Sequence, residues 1–181
     1  MREGVVKSTS EQLRLDSAKS RQSAFQLSDH RMILFLDFDG VLHPFPMTST
    51  SSHFSATPSL WTILEKIPEI SVVITSTWRE QFSLAQLVEL LKGHGGEHFS
   101  NRFIGVTPIM ESTTDYVPGI RQQEIESWLV ENEVTDEPYI ILDDIEEYFD
   151  STCPNLYLVD GVSGLTGHDA AMIPIWLGIS R

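Results

Sequence analysis

Cysteine is nearly absent from this sequence of 181 residues, which contains a single one, Cys153. One cysteine cannot form an intramolecular disulfide, so the sequence fits a reducing compartment and we expect a cytoplasmic protein. No motif around Cys153 suggests a nucleophile. We therefore interpret it as a core or loop thiol.

Long hydrophobic runs are missing as well. The apolar runs fall far short of the roughly 20 residues that a membrane-spanning helix needs. The first 25 residues lack the apolar centre of a signal peptide, and their acidic residues Glu3, Glu11 and Asp16 argue against an organelle transit peptide. We expect neither export nor a membrane partner.

Basic residues are few, with 12 Lys and Arg against 26 Asp and Glu. Residues 1–31 hold six basic and four acidic side chains, a net charge of +2, whereas residues 32–181 have a net charge of −16. A body this acidic repels phosphate backbones, so we expect no strong nucleic-acid-binding surface, although the basic N-terminal arm could still make contact. The Ser-, Lys- and Gln-rich composition of residues 1–28 predicts a polar extension, followed by one folded domain over residues 29–181.

What the sequence does contain is a series of short apolar runs, each ending in polar or turn residues. They lie at 32–37, 70–75, 102–107, 139–144 and 156–160 and predict buried strands. Helical patterns lie between several of them or follow the last. The first predicted helix begins at Pro58, with Thr57 as its cap, and the second has Leu84, Leu87, Val88 and Leu91 on one face. The third covers 118–131 and aligns Ile125, Trp128 and Leu129. The last follows Thr166, with Asp169 in capping-box spacing. This alternation predicts an α/β fold whose parallel sheet is covered on both faces.

Two of the predicted strands end in paired aspartates. Asp37 and Asp39 follow the first apolar run, and Asp143 and Asp144 follow the fourth. A single aspartate at a strand end is usually a turn or a helix cap. Four carboxylates at the ligand-binding edge of one sheet repel each other, so either a cation lies between them or their pKa values are raised. Mg²⁺ prefers oxygen ligands and is the simplest explanation.

Hydroxyl and basic side chains follow the second strand, where Thr75, Ser76 and Thr77 precede Arg79. A strand-to-helix junction with such donors suits an anion, although at least one hydroxyl is expected to cap the helix instead. Arg121 lies near the start of the third predicted helix, where a cation opposes the helix dipole unless an anion is close. A salt bridge to a neighbouring carboxylate is the alternative role for Arg121.

These residues stand in the order of a known pattern. The run from Asp37 to Leu42, a Ser/Thr after the second strand, a lone basic residue and then Leu142-Asp143-Asp144 resemble the four motifs of the haloacid dehalogenase-like (HAD) phosphohydrolase superfamily. The phrases TSTWR, RQQEIESWL and ILDD further resemble a subgroup of small HAD domains, some of them attached to RNA-repair proteins. The resemblance covers about residues 31–170. It implies a Rossmann-like three-layer sandwich with a mostly parallel sheet and, given the short intervals at 40–70 and 77–120, a minimal cap or none.

The resemblance also implies roles for these residues. Asp37 is the expected nucleophile that forms an aspartyl-phosphate, and Asp39 is the expected general acid and base, presented by a turn at Gly40. Ser76 is expected to supply the second-motif hydroxyl, with Thr75 as the alternative. Gly40 also counts among the phosphate-binding residues.

The implied phosphate and metal ligands complete the expected site. Arg121 would hold the phosphoryl group in place of a more usual lysine, and Arg79 is a further candidate for a phosphate or substrate contact. Asp37, Asp143 and the backbone carbonyl of Asp39 would hold Mg²⁺, with Asp144 binding directly or through a water. His43 is a candidate for lining the site.

Two other motifs in the sequence do not indicate metal sites. Pro46 stands where a calcium-binding EF-hand needs a glutamate, and the glycines between His94 and His98 favour a surface loop over a metal site.

An open site suits a phosphorylated small molecule, a phosphoprotein or a nucleic-acid end. We expect a Mg²⁺-dependent phosphatase, with a polynucleotide-end phosphatase or a non-catalytic binding module as alternatives.

Overall fold

The computed structural model describes residues 32–110 and 118–179, which build a five-stranded sheet. Its strands are β1 (Met32–Leu36), β2 (Ile70–Ile74), β3 (Phe103–Val106), β4 (Tyr139–Asp143) and β5 (Leu156–Leu158). All neighbouring pairs are parallel, in the order β3-β2-β1-β4-β5. The predicted α/β architecture with a parallel sheet is confirmed. The predicted extension over residues 1–28 lies outside the described residues.

The register of the sheet brings the ends of its central strands to one level. Leu36 of β1 pairs with Ile74 of β2 on one side and with Leu142 of β4 on the other. The next residue on each strand is polar: Asp37 after β1, Thr75 after β2 and Asp143 at the end of β4. Because the strands are parallel, these three residues lie side by side at the carboxyl edge of the sheet.

Helices cover both faces of the sheet. They are α1 (Thr57–Lys66), α2 (Leu84–Leu91), α3 (Ile120–Glu131) and α4 (Gly167–Trp176). One core joins buried residues of α1, α2 and α4 to the strand residues that point to their face. On the other face, Trp128 of α3 meets Phe35 of β1 edge to face, with ring centroids 5.7 Å apart. The molecule is therefore a three-layer sandwich.

The helix caps agree with the sequence in one case and differ in another. Thr166 and Asp169 form the predicted capping box at the start of α4. The predicted cap at Thr57 is wrong, because Ala56 occupies the N-cap position and Thr57 is the first helical residue. The Thr57 hydroxyl instead donates to the carbonyl of Phe54, 2.9 Å away, inside the protein. A buried acceptor close by outweighed the usual preference of threonine for the cap position.

The connections near the site are short. The chain between Gly40 and Ala56 contains only turns, bends and one isolated bridge, so within the described residues no cap domain follows β1. His94 and His98 of the predicted surface loop are exposed, as expected; the backbone kinks at His94 and Gly95, where φ of Gly95 is +88°, and a 3-10 helix over Glu97–Arg102 follows. Cys153 lies in a turn before β5 and is half-buried, which fits a loop thiol. No helix among the described residues is long and apolar enough to cross a membrane.

Candidate active site

Three carboxylates converge at the carboxyl edge of the sheet. Asp37, Asp143 and Asp144 each present an oxygen, and these oxygens all lie within 4.8 Å of one another. Asp37 and Asp143 are buried, with 5% and 0% of their surfaces exposed. The backbone N–H of Asp37 donates to the carbonyl of Leu142, 3.0 Å away, which ties the end of β1 to the end of β4. The parallel register thus brings together three of the four predicted carboxylates, and the carboxylate of Asp39 is not among them.

Asp143 is held by one oxygen and leaves the other without a partner. Its Oδ1 accepts from the backbone N–H of Ile145 at 3.0 Å. Its Oδ2 is buried and has no hydrogen-bond partner among the described residues. A buried carboxylate oxygen without a donor is costly, and a cation between the three carboxylates would satisfy it. The all-oxygen donor set is the kind that a hard divalent cation prefers.

The electrostatics of the cluster agree with this interpretation. Burial raises the pKa of Asp143 well above its usual range, and the neighbouring Asp37 raises it further. Burial also raises the pKa of Asp37, against the opposing effect of Arg121. The pKa of Asp144 rises to about 6, through burial first and the charge of Asp37 second. Without a cation, the protein therefore pays for bringing these carboxylates together.

The pKa of Asp39 is shifted in the opposite direction from those of the three clustered carboxylates. Its Oδ1 lies 2.9 Å from Nε2 of His43, and its Oδ2 accepts from Nε1 of Trp78 at 3.0 Å. The hydrogen bond from His43 is the main reason that the pKa of Asp39 lies below its usual range. His43 is fully buried. The structure thus places the predicted site-lining residue His43 directly against Asp39, and it adds Trp78, which sequence reasoning missed.

Two glycines enclose the carboxylate of Asp144. Gly40 has a φ of +70°, and a Cβ built there would lie 2.1 Å from Oδ2 of Asp144. A Cβ built on Gly161 would lie 2.3 Å from the same oxygen. A side chain at either position would displace the carboxylate of Asp144, and the left-handed backbone of Gly40 favours glycine as well. Sequence reasoning missed Gly161, because a glycine after Asp160 looks like an ordinary turn signal.

Arg121 supplies positive charge to the cluster. Its side chain is 5% exposed, and its Nε lies 3.8 Å from Oδ2 of Asp143. Neither Nε nor Nη1 has a hydrogen-bond partner in the part of the chain that the structure describes. The guanidinium carbon lies 5.5 Å from the ring centre of Tyr148. Two buried donors are thus left available beside the carboxylates, as an anion-binding arginine requires.

Arg79 has a different environment. Its Nη2 forms a buried ion pair with Oε2 of Glu124 at 2.5 Å. Its Nε donates to the carbonyl of Thr107 at 3.1 Å, and its Nη1 donates to the carbonyl of Thr75. These contacts commit the guanidinium to the protein interior, which favours a structural role. Its predicted contact with phosphate stays a prediction. Glu124, the partner of Arg79, was not identified from the sequence.

The hydroxyls at the site are buried and available. Thr75 and Ser76 are both fully buried, and neither hydroxyl meets the geometry of a hydrogen bond among residues 32–110 and 118–179, but the Ser76 hydroxyl lies close enough to Asp37 to lower the pKa of that carboxyl. The choice between them for the second-motif hydroxyl stays open. Thr107, after β3, has a buried and equally unpartnered hydroxyl. The polar residue after the third apolar run was the signal that could have identified it.

Comparison with known proteins agrees with this geometry. Residues 33–170 match the family described as the HAD domain in Swiss Army Knife RNA repair proteins. No curated protein matches the chain. The matched segment includes every residue of the site described above and all five strands except Met32, the first residue of β1.

Proposed function

Because the chain belongs to the family of HAD domains in Swiss Army Knife RNA repair proteins, we propose that it is a Mg²⁺-dependent phosphomonoesterase that acts through an aspartyl-phosphate. The family supports a HAD-type phosphohydrolase or an RNA-repair-related function. One observation carries the finer proposal. Buried, unpartnered donors of Arg121 lie beside a cluster of three carboxylates at the end of a parallel sheet. A phosphate and a divalent cation together would satisfy both sets of groups.

The first half of the proposed reaction transfers the phosphoryl group to Asp37. A carboxylate oxygen of Asp37 attacks phosphorus, while the bond from phosphorus to the leaving oxygen breaks. Asp39 gives its proton to that oxygen. Its pKa is low in the free protein, but a phosphate dianion nearby favours the protonated form, because like charges raise a carboxyl pKa.

The second half returns the protein to its starting state. Asp39, now a carboxylate, takes a proton from a water that attacks phosphorus, and the bond to Asp37 breaks to release phosphate. Arg121 neutralises charge on the phosphoryl oxygens through its two available donors. Asp37, Asp143 and Asp144 would hold Mg²⁺, which would neutralise charge on the transferring group. Covalent catalysis thus divides one displacement into two steps, each served by this chain's own residues.

Hydrolysis of p-nitrophenyl phosphate tests the proposal directly. We expect activity that needs Mg²⁺ and is lost on EDTA treatment. Asp37→Asn should abolish turnover and also the acid-stable label that wild type acquires from a ³²P-labelled substrate. Asp136→Asn, an exposed aspartate in the turn before β4, is the matched control and should keep full activity. Retention of activity by Asp37→Asn would refute the nucleophile assignment.

A polynucleotide-end phosphatase is a second candidate, favoured by the description of the matched family. The open surroundings of the site within the described residues suit the end of a polymer, whereas the net charge of −14 disfavours its backbone. A panel of 3′- and 5′-phosphorylated oligonucleotides, phosphopeptides and nucleotides decides between them. A large preference in kcat/KM for one oligonucleotide end would support this candidate, whereas no hydrolysis of any member would favour a non-catalytic binding module.

A further inference from the structure

The carboxyl group of Asp39 is bound at both oxygens by donors from different parts of the chain. His43 approaches Oδ1 from the turn that follows β1, and Trp78 approaches Oδ2 from the 3-10 helix that follows β2. The side chain of His43 is 0% exposed, whereas that of Asp39 is 32% exposed. A solvent-accessible carboxylate is thus fixed by a donor that solvent cannot reach.

The surroundings of His43 determine which ring nitrogen carries the proton. The backbone N–H of Phe54 points at Nδ1, 3.5 Å away, so Nδ1 is the acceptor. Nε2 therefore carries the proton and donates it to Asp39 in a hydrogen bond. The imidazole also packs edge-on against Phe54 and Trp78, with ring centres 5.6 and 6.2 Å away. This packing keeps the ring from turning away from Asp39.

We propose that His43 and Trp78 are positioning residues that together clamp the carboxyl group of Asp39 for proton transfer. The inference rests on the proposed function, in which Asp39 exchanges a proton with the leaving oxygen and then with water. Two donors on the two oxygens fix the plane of the carboxyl group. Each oxygen keeps a second lone pair for the transferred proton. A proton donor must lie within hydrogen-bond reach of its target, so a rotated carboxyl group would lose most of its benefit.

Dependence on the leaving group distinguishes positioning from a merely structural role. The test compares kcat/KM for phenyl phosphates from p-nitrophenyl to unsubstituted phenyl, since this parameter reports the step in which the leaving oxygen departs. A poor leaving group needs the proton of Asp39 more than a good one does. His43→Phe keeps an aromatic ring in place but removes the donor, and Trp78→Phe does the same on the other side. For both variants we expect a loss that is about tenfold greater for phenyl phosphate than for p-nitrophenyl phosphate.

Two further variants complete the kinetic experiment. His43→Gln carries an amide N–H that can reach Asp39, and it should restore a large part of the loss. His53→Phe changes an exposed neighbour whose ring centre lies 5.0 Å from that of His43, and it should keep the wild-type profile. Equal losses across the series in both phenylalanine variants, with wild type active, would overturn the clamp while leaving the proposed phosphatase intact.

A measurement without substrate separates failure of the clamp from failure of the function. In ¹⁵N NMR of the full chain, assigned with the His43→Phe and Trp78→Phe variants, His43 should be protonated on Nε2. Its N–H and the indole N–H of Trp78 should both shift in Asp39→Ala. A proton on Nδ1, or signals that Asp39→Ala leaves unchanged, would refute the clamp even if no substrate were ever hydrolysed. Conversely, the expected spectra with an inactive wild type would refute only the phosphatase.

Discussion

Removing Mg²⁺ should make the stability of the protein fall as pH rises, in a window set by Asp144. Its pKa is raised from 3.8 to about 6 by burial and by the charge of Asp37. A carboxyl whose pKa is higher in the folded state binds more protons there than in the unfolded chain. Stability therefore decreases as pH rises from about 4 to about 6 and stays low above it. Asp37 and Asp143, whose pKa values are also raised, act in the same direction.

The magnitude follows from the pKa of Asp144 in the two states. Without screening by solvent, a rise of the Asp144 pKa from 3.8 to about 6 would lower the free energy of unfolding by about 3 kcal/mol above pH 6. Asp144 is only half-buried, so solvent screens part of this effect, and we expect about 1–2 kcal/mol. Mg²⁺ binds the ionised carboxylates and should reverse the trend. At 100 times its dissociation constant, it adds about 2.7 kcal/mol to the folded state.

Urea unfolding at a series of pH values between 4.5 and 7.5, in EDTA and in excess Mg²⁺, measures both effects. Asp144→Asn removes the titrating group. In EDTA, the fall of its free energy of unfolding with rising pH should therefore be smaller than that of wild type by about 1–2 kcal/mol. Excess Mg²⁺ should also stabilise this variant less than wild type. Asp136→Asn, at the opposite end of β4, controls for general repulsion in this acidic protein and should leave the difference between the two conditions unchanged. An EDTA slope that is the same in Asp144→Asn as in wild type would refute the reasoning.

Three substitutions test the surroundings of the site. Gly161→Ala places a methyl group against Asp144 and should abolish stabilisation by Mg²⁺ in thermal unfolding while the far-ultraviolet circular dichroism stays native; an unchanged Mg²⁺ response would contradict the close approach. Arg79→Met removes one partner of a buried ion pair and should cost about 3 kcal/mol in urea unfolding, the lower end of the usual range, because Arg121 still lies 3.9 Å from Oε2 of Glu124; a cost below about 1 kcal/mol would mean that the ion pair is not structural. Thr166→Ala removes the cap of α4 and should cost about 1 kcal/mol, without changing Mg²⁺ binding.

Much of the scaffold could be predicted, because its signals are local. The central strands β1, β2 and β4 are buried, nearly continuous apolar runs, as predicted, whereas the edge strands β3 and β5 are mostly only partly buried, because each has a neighbouring strand on one side alone. The capping box of α4 needs only Thr166 and Asp169, three residues apart. The convergence of Asp37 with Asp143 followed from the rule that parallel strands end at one edge. These predictions required no knowledge of how distant side chains meet.

The partners of the site residues could not be predicted, because they depend on contacts across the fold. Trp78 and Asp39 are 39 positions apart in the sequence, and Glu124 and Arg79 are 45 positions apart. Neither pair therefore forms a local sequence motif that could predict the contact. Arg79 was predicted as a phosphate contact because a basic residue after a strand suits an anion, and that prediction still stands untested. Its ion pair with Glu124 of α3 appears only when that helix has packed on the sheet, where Trp128 meets Phe35 of β1.

The ion pair of Arg79 explains how Arg121 is left available beside the carboxylates. Glu124 lies between the two arginines, yet its Oε2 is 2.5 Å from Nη2 of Arg79 and 3.9 Å from Nη1 of Arg121. The glutamate therefore interacts mainly with Arg79, and among the described residues Nε and Nη1 of Arg121 form only long ion pairs, at 3.8 Å with Asp143 and 3.9 Å with Glu124, and no hydrogen bond. Without Arg79, Glu124 would be free to neutralise Arg121 and compete with an incoming phosphate. The buried ion pair thus keeps Arg121 available for the phosphate of the proposed function, at a distance from the chemistry itself.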